Sequence, residues 1–168
     1  MPAALYYIHD PLAPEPNRPS RFGAAAVLYA EGKVLLEHRR DTYKWGIVSS
    51  DIKDTESFKD CAVRSILSET GIAVAADALH ELQLFDDPSR IVSFSEGNIY
   101  RIVHYSYYVL FDRIPATVCG SGSLELRWVD PADLDDYEIV VTHQDILKAF
   151  FRERHICHTM HTYSQEEQ

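Results

Sequence analysis

The sequence predicts an α/β fold, a mixed β-sheet with one central and one C-terminal helix. Three stretches carry that prediction. Ser57 followed by Asp60 is a capping-box pattern, Phe58, Ala62 and Ile66 then fall on one helical face, and Gly71 stands where a left-handed residue would stop the helix. From Ile99 to Asp112 the residues Val103, Tyr105, Tyr107, Val109 and Phe111 alternate, in a run rich in β-branched and aromatic side chains. Near the C-terminus, Ile146, Ala149 and Phe150, with Leu147 and Phe151 beside them, form a second helical stripe.

Taken in order, the chain opens with an arm, residues 1–19, that holds Pro2, Pro11, Pro14, Pro16 and Pro19, five of the eight prolines. That composition fits an extended segment laid over the domain or over a partner, or equally a disordered leader. A folded unit over residues 20–153 follows. Phe22 to Ala30 and Lys33 to His38 are apolar runs joined by Glu31-Gly32, which predicts a β-hairpin. Trp45 leads into the capped helix, with Val63 and Leu67 beside its apolar stripe. Ala78 to Phe85 reads as a strand, and Asp86-Asp87-Pro88-Ser89-Arg90 as a turn. Ile91 to Phe94 adds a short strand that should form a hairpin with the long one. Cys119-Gly120-Ser121-Gly122-Ser123 is a loop, and Leu124 to Val129 a strand ended by Pro131. Thr142 with Asp145 predicts the cap of the last helix. Residues 154–168 form a polar tail, expected to be loose.

The bulk numbers set limits. A length of 168 residues predicts one domain, and 46% hydrophobic residues are enough for a core. A net charge of −10 argues against a broad basic nucleic-acid surface, though not against a small basic pocket. The odd, widely spaced Cys61, Cys119 and Cys157 fit free thiols in a reducing compartment. With no apolar run of membrane-spanning length and no basic-then-apolar leader, the expectation is a cytoplasmic protein without membrane contact.

The stretch from Ser50 to Ile72 resembles the signature box of the Nudix hydrolases. That box reads glycine, five residues, glutamate, seven residues, then Arg-Glu-apolar-any-Glu-Glu-any-Gly-apolar. Here Ser50 stands at the glycine, Glu56 at the first glutamate and Arg64 at the arginine. Ser65 follows where a glutamate is expected, then Ile66. Ser68 and Glu69 occupy the glutamate pair, and Gly71 and Ile72 close the box. The spacing is complete, while the glycine and two glutamates have become serine. The resemblance implies a Nudix-type α/β/α sandwich with a mixed sheet, a box loop-helix-loop and a C-terminal helix. It implies Mg²⁺- or Mn²⁺-dependent hydrolysis of a nucleoside diphosphate linked to another moiety, a nucleotide-derived small-molecule ligand, and often a homodimer.

In the family, the carboxylates matching positions 65, 68 and 69 gather Mg²⁺ and help activate water. Residues at i, i+3 and i+4 share a helical face, and Mg²⁺ takes hard oxygen ligands. Glu69 is therefore the remaining candidate metal ligand, with Glu56 and Arg64 as further candidate catalytic residues. Arg39 and Arg90 are candidates for the ligand's phosphates. For each a plainer role exists: Glu56 suits a helix N-terminus, Arg64 a surface pair with Asp60, and the other arginines an ordinary surface. Asp51 and Asp54 are the nearest acids that could substitute, and solvated loop acids are the better reading of both. The loop before Leu124 offers no acid. Loss of two carboxylates predicts a fall in turnover on the order of 10⁴-fold if the losses add. That is about 5 kcal/mol of transition-state stabilisation. The alternative to a weak hydrolase is an inactive nucleotide-binding or regulatory module. Replacing glycine by Ser49-Ser50 also predicts a strained loop costing about 1–2 kcal/mol.

Trp45 and Phe85 are candidates for stacking on a base, with core packing the better reading. His104 is expected to be structural. His155, Cys157, His158 and His161 have metal-donor chemistry without a supporting second cluster. No Gly-x-Ser-x-Gly elbow is present.

Overall fold

The computed structural model describes residues 2–160. Its strands are β1 (Ala4–Tyr7), β2 (Arg21–Ala30), β3 (Lys33–Arg39), β4 (Trp45–Gly46), β5 (Val48–Asp51), β6 (His80–Phe85), β7 (Ile91–Phe94), β8 (Ile99–Phe111) and β9 (Ser123–Val129). The helices are α1 (Phe58–Thr70) and α2 (Val141–Arg154). Strands run in the order β1-β7-β8-β2-β3-β4, while β5 also pairs with β2, β6 with β8 and β9 with β3. The β2–β8 pair is parallel and the other pairs are antiparallel, so the sheet is mixed.

Each face of the sheet carries one helix. Ala24, Ala26, Leu28 and Leu35 pack with Cys61, Ala62 and Ile66 of α1. Ala25, Val27, Val34 and Leu36 pack with Ile146, Leu147, Phe150 and Phe151 of α2. This is the α/β/α sandwich, and it follows from period-two alternation in strands whose two faces are both apolar. The same geometry explains β8. Its predicted face reaches α1 through Tyr107 and Val109, and its other face, with His104, Ser106 and Tyr108, is buried as well.

The cap of α1 matches its prediction. Ser57 Oγ accepts from the Asp60 amide at 3.0 Å, and the Asp60 carboxylate accepts from the Ser57 amide at 3.3 Å. Such a cap contributes about 1 kcal/mol. Gly71 closes the helix at φ 74°, where its amide bonds to the Leu67 carbonyl. The buried stripe is rotated from the predicted one: Ser65 and Thr70 are buried on it, and Leu67 is 51% exposed.

Several expectations need correction. Thr142 and Asp145 do not cap α2. The N-cap is Val140, without a side-chain hydrogen bond, because Asp145 is drawn to Arg90. Ser49 and Ser50 carry no backbone strain, since both lie in β5, paired with Ala25 and Ala24. The strand predicted from Ala78 starts at His80, after a 3₁₀ turn at Ala76–Ala78. The N-terminal arm contributes β1, paired with β7, and the Ile99 carbonyl then accepts from the amides of Asn17 and Arg18. The tail is ordered as far as it is described: Thr159 bonds to Pro131 and Ala132, His158 stacks on Phe151, and Met160 is buried. His161 lies outside the described residues. Among those residues no group of three or more His, Cys, Asp or Glu could hold a metal, the tail included.

Candidate functional site

The site is built around β5. Alternation sends its two serines to opposite faces of the sheet. Ser50 faces α1, where its hydroxyl donates to Glu69 Oε2 at 3.1 Å. Ser49 faces α2, where its Oγ lies 3.4 Å from His143 Nε2. Two adjoining cavities open on these sides. The larger, about 470 Å³, is bounded by Glu37, Arg39, Ser49, Ser50, Glu69 and Ser123, among others. The smaller, about 240 Å³, has His104 and His143 at its base and Val92, Phe94 and Ile102 on a wall. Arg39, Asp41, Ser49 and Ser50 belong to both.

Glu69 does not stand alone. Glu37, on β3 and 1% exposed, hydrogen-bonds to it and accepts from Ser123 Oγ at 3.1 Å. Burial pushes the Glu37 carboxyl well above its usual range, and the neighbouring Glu69 charge adds to the push. Burial also raises Glu69, but hydrogen bonds from Glu37 and Ser50, together with Arg39, oppose it. The pair therefore holds a proton more tightly than free carboxylates would, with Glu37 the more strongly raised of the two. Sequence reasoning missed Glu37. The available signal was one acid inside the run Val34-Leu35-Leu36-Glu37, at the inward alternation of Leu35.

Arg39 spans the two cavities. Its Nε and Nη2 donate to Asp41 at 3.0 and 2.8 Å, and Nη2 also donates to the Tyr6 hydroxyl at 3.2 Å. Tyr6 in turn donates to Asp41 at 3.0 Å, and burial pushes its pKa up to about 12. Burial disfavours the charged guanidinium, yet the hydrogen bonds and charge of Asp41 outweigh it and hold Arg39 firmly protonated.

The other predicted residues lie elsewhere. Arg64 grips Glu56 through Nε at 2.6 Å and Nη2 at 2.9 Å, and also the Asp51 carbonyl at 2.9 Å. Chiefly through the Arg64 hydrogen bond, Glu56 is drawn down to about 2. This pair ties the box loop to α1. Asp60 belongs to the cap instead, and neither Glu56 nor Arg64 borders the cavities. Arg90 is a correction. It is fully buried, with Nη1 on Asp145 at 3.2 Å and Nη2 on the Thr142 carbonyl at 2.9 Å, because β7, β8 and α2 close over it. It has no surface to offer a phosphate. Asp51 borders the smaller cavity and pairs with Arg21 at 3.3 Å. Trp45 stacks on His38, and Phe85 lies in the α2-side core, so neither faces a ligand.

His143 docks because residue 46 is glycine: a Cβ there would come within 2.5 Å of its Nδ1. The Ile47 amide donates to that Nδ1 at 3.0 Å, so the ring proton is on Nε2. A ring in this tautomer cannot take a proton from Ser49. The pair is thus a hydrogen bond and not a nucleophile with its base.

The sequence matches the NUDIX domain family over residues 19–150, and the chain belongs to that family. Comparison with curated protein sequences finds no match. The fold is similar to a MutT/nudix family protein from Enterococcus faecalis, at 19% identity and a TM-score of 0.67, covering 84% of this chain and 64% of that one. It is also similar to a bifunctional NMN adenylyltransferase/ADP ribose pyrophosphatase from Francisella tularensis complexed with AMP and a manganese ion, at 16% identity and 0.67, covering 83% and 43%. A third likeness is to the NUDIX domain of Shewanella oneidensis NrtR complexed with ADP ribose, at 21% identity and 0.66, covering 87% and 93%. At these identities the likeness shows the fold. The chain spans less than two thirds of the Enterococcus and Francisella proteins. Among the described residues, no helix is long and apolar enough to cross a membrane.

Nudix proteins generally use Mg²⁺ or Mn²⁺, but the donors here do not match what such a cation takes. Ser65 is fully buried, and its hydroxyl donates to the Cys61 carbonyl at 2.7 Å. Ser68 donates to the Ser65 carbonyl at 3.3 Å. Glu69 is engaged by Ser50 and Glu37, and burial raises the Glu37 carboxyl well above its usual range.

Proposed function

We propose that this chain binds a nucleoside diphosphate derivative of the ADP-ribose kind in the paired cavities, and that its hydrolysis is weak or lost. The observation that carries this reading is Ser50 Oγ on Glu69: a serine hydroxyl occupies the carboxylate on which a divalent cation would depend. Family membership, and the AMP and ADP ribose in the Francisella and Shewanella structures, support the ligand class. In this reading Arg39 meets a ligand phosphate, Glu69 makes any residual metal contact, and Glu56 with Arg64 holds the loop in place.

ADP-ribose with Mg²⁺ or Mn²⁺ should turn over far below the roughly 1–10³ s⁻¹ of ordinary enzymes. Millimolar ADP-ribose should still raise the thermal midpoint. Turnover in the ordinary range that chelator abolishes would replace this reading with that of a working hydrolase. A nucleotide panel without any thermal shift would remove the binding role.

A further inference from the structure

A phosphorylated ligand brings negative charge, and a pocket whose carboxylate–metal face is gone must meet that charge in another way. The smaller cavity has the means. At its base His104 and His143 are 5% and 1% exposed. Arg90 Nη2 can only donate, and it meets His104 Nδ1 at 3.4 Å, which puts the proton of this ring on Nε2. That Nε2 has no protein partner among the described residues and is not one of the sealed, unpartnered atoms, so it opens on the cavity. On the neighbouring ring, His143 Nε2–H donates to Ser49 Oγ, which leaves the hydroxyl proton of Ser49 free for another acceptor. Arg39 uses Nε and Nη2 on Asp41 and Tyr6, and leaves Nη1 without a partner among the described residues. The two carboxylates at the rim, Asp41 and Asp51, are held by Arg39 and Arg21.

Residues from three elements that each keep a donor without a protein acceptor among the described residues therefore line one chamber. We propose that this chamber is a metal-independent oxyanion subsite that receives a phosphoryl group through Arg39 Nη1, Ser49 Oγ and His104 Nε2. The proposal rests on the ligand class of the preceding section and adds where its phosphate sits and what neutralises it. The surroundings agree. Burial first, then the positive charges of Arg90 and Arg39, keep His104 neutral; burial disfavours a charge of either sign, and it is the two arginine charges that favour an oxyanion here. Preorganised donors at a water-poor site bind charge more strongly than the same groups in water. At about 240 Å³ the chamber lies below the roughly 300–1,000 Å³ of a whole-ligand pocket, which suits a subsite.

Inorganic pyrophosphate, ADP-ribose and uncharged ribose, each titrated in the presence of chelator, test this. Calorimetry gives affinity, and ¹⁵N imidazole NMR follows His104. Pyrophosphate and ADP-ribose should bind without metal and move the His104 Nε2 resonance, and ribose should do neither. Ser49→Ala should weaken pyrophosphate by about tenfold, the size of one hydrogen bond to a charged group. His104→Phe should weaken it at least as much, and the half-buried Ser49 variant, a smaller change, decides the matter should the buried His104 variant fail to fold. Unchanged pyrophosphate affinity in Ser49→Ala, or binding only after Mg²⁺ is added, overturns the subsite. ADP-ribose binding with a silent His104 and no pyrophosphate binding also overturns it, and leaves the nucleotide reading standing. Pyrophosphate binding with no nucleotide bound does the reverse.

Discussion

Ser50 donates its hydroxyl proton to Glu69 at 3.1 Å, across the junction of β5 and α1. This bond joins the two ends of the family's signature box, and it does so with a residue that replaces the expected glycine. Ser50→Gly should lower stability by about 1–2 kcal/mol, from a lost hydrogen bond to a charged group plus a more flexible strand residue. Urea unfolding of the variant checks the size. Carboxyl ¹³C NMR should show Glu69 titrating at higher pH than in the parent chain, because an interaction favouring its charged form is gone.

Glu37 gives a pH dependence of definite sign. Its folded pKa lies well above the ordinary glutamate value of 4.5, so the folded state holds a proton that the unfolded chain releases. Stability contributed here is full below about pH 4.5 and declines as pH rises toward the folded pKa. Glu37→Gln keeps the hydrogen-bond donor and removes the titration. The variant should match the parent near pH 4 and exceed it at pH 7, with urea midpoints at both values as the measurement. A variant less stable than the parent at pH 7 would mean that Glu37 is ionised in the fold.

His104 and His143 act on the acid side. Both pKa values fall below the ordinary 6.5 of histidine, that of His104 to about 3, with burial as the first cause. Their contribution is complete above pH 6.5 and is lost as pH falls, at about 1.4 kcal/mol per pH unit for each ring. His143→Phe should remove one ring's share of the slope between pH 6.5 and 5. Gly46→Ala should destabilise by about 1–3 kcal/mol, since its Cβ would collide with His143 Nδ1. An upfield move of the Ile47 amide proton, as its hydrogen bond to His143 Nδ1 is lost, would report the displaced ring.

Arg39 and Arg90 should separate cleanly in experiment. Arg90→Ala empties a fully buried site and strands the Thr142 carbonyl, while Asp145 keeps contact with water, and it should cost about 2–4 kcal/mol. The fraction that folds should bind ADP-ribose more weakly than the parent, because His104 loses the donor that fixes its tautomer, but by less than Arg39→Lys, which alters a direct phosphate contact. Arg39→Lys removes the forked grip on Asp41 and should weaken ADP-ribose by about tenfold or more while the fold persists. Equal losses of affinity in the two variants would contradict the placement of the ligand.

Much of the fold was legible because its signals are local. The capping box, the glycine stop and the alternation of β8 each depend on residues a few positions apart. Failures arose where a residue's partner is remote in sequence. Thr142 and Asp145 have the spacing of a cap, but Asp145 answers to Arg90, 55 positions away. Arg90 belongs to a readable turn, yet its burial depends on β7, β8 and α2 closing over it. Glu37 sits inside the apolar run Lys33 to His38 with no local sign of its partner, and only the approach of α1 gives it Glu69.

By itself, the sequence determined the family, the box helix with its caps, and the replacement of three box positions by serine. Only the tertiary structure decided what those serines do. Strand alternation turns Ser49 toward His143 and Ser50 toward Glu69, and helix rotation buries Ser65 against Cys61. The physical reason is that a side chain's identity is fixed by its codon of sequence, whereas its charge state and hydrogen-bond partner depend on neighbours that the chain brings together only when it folds.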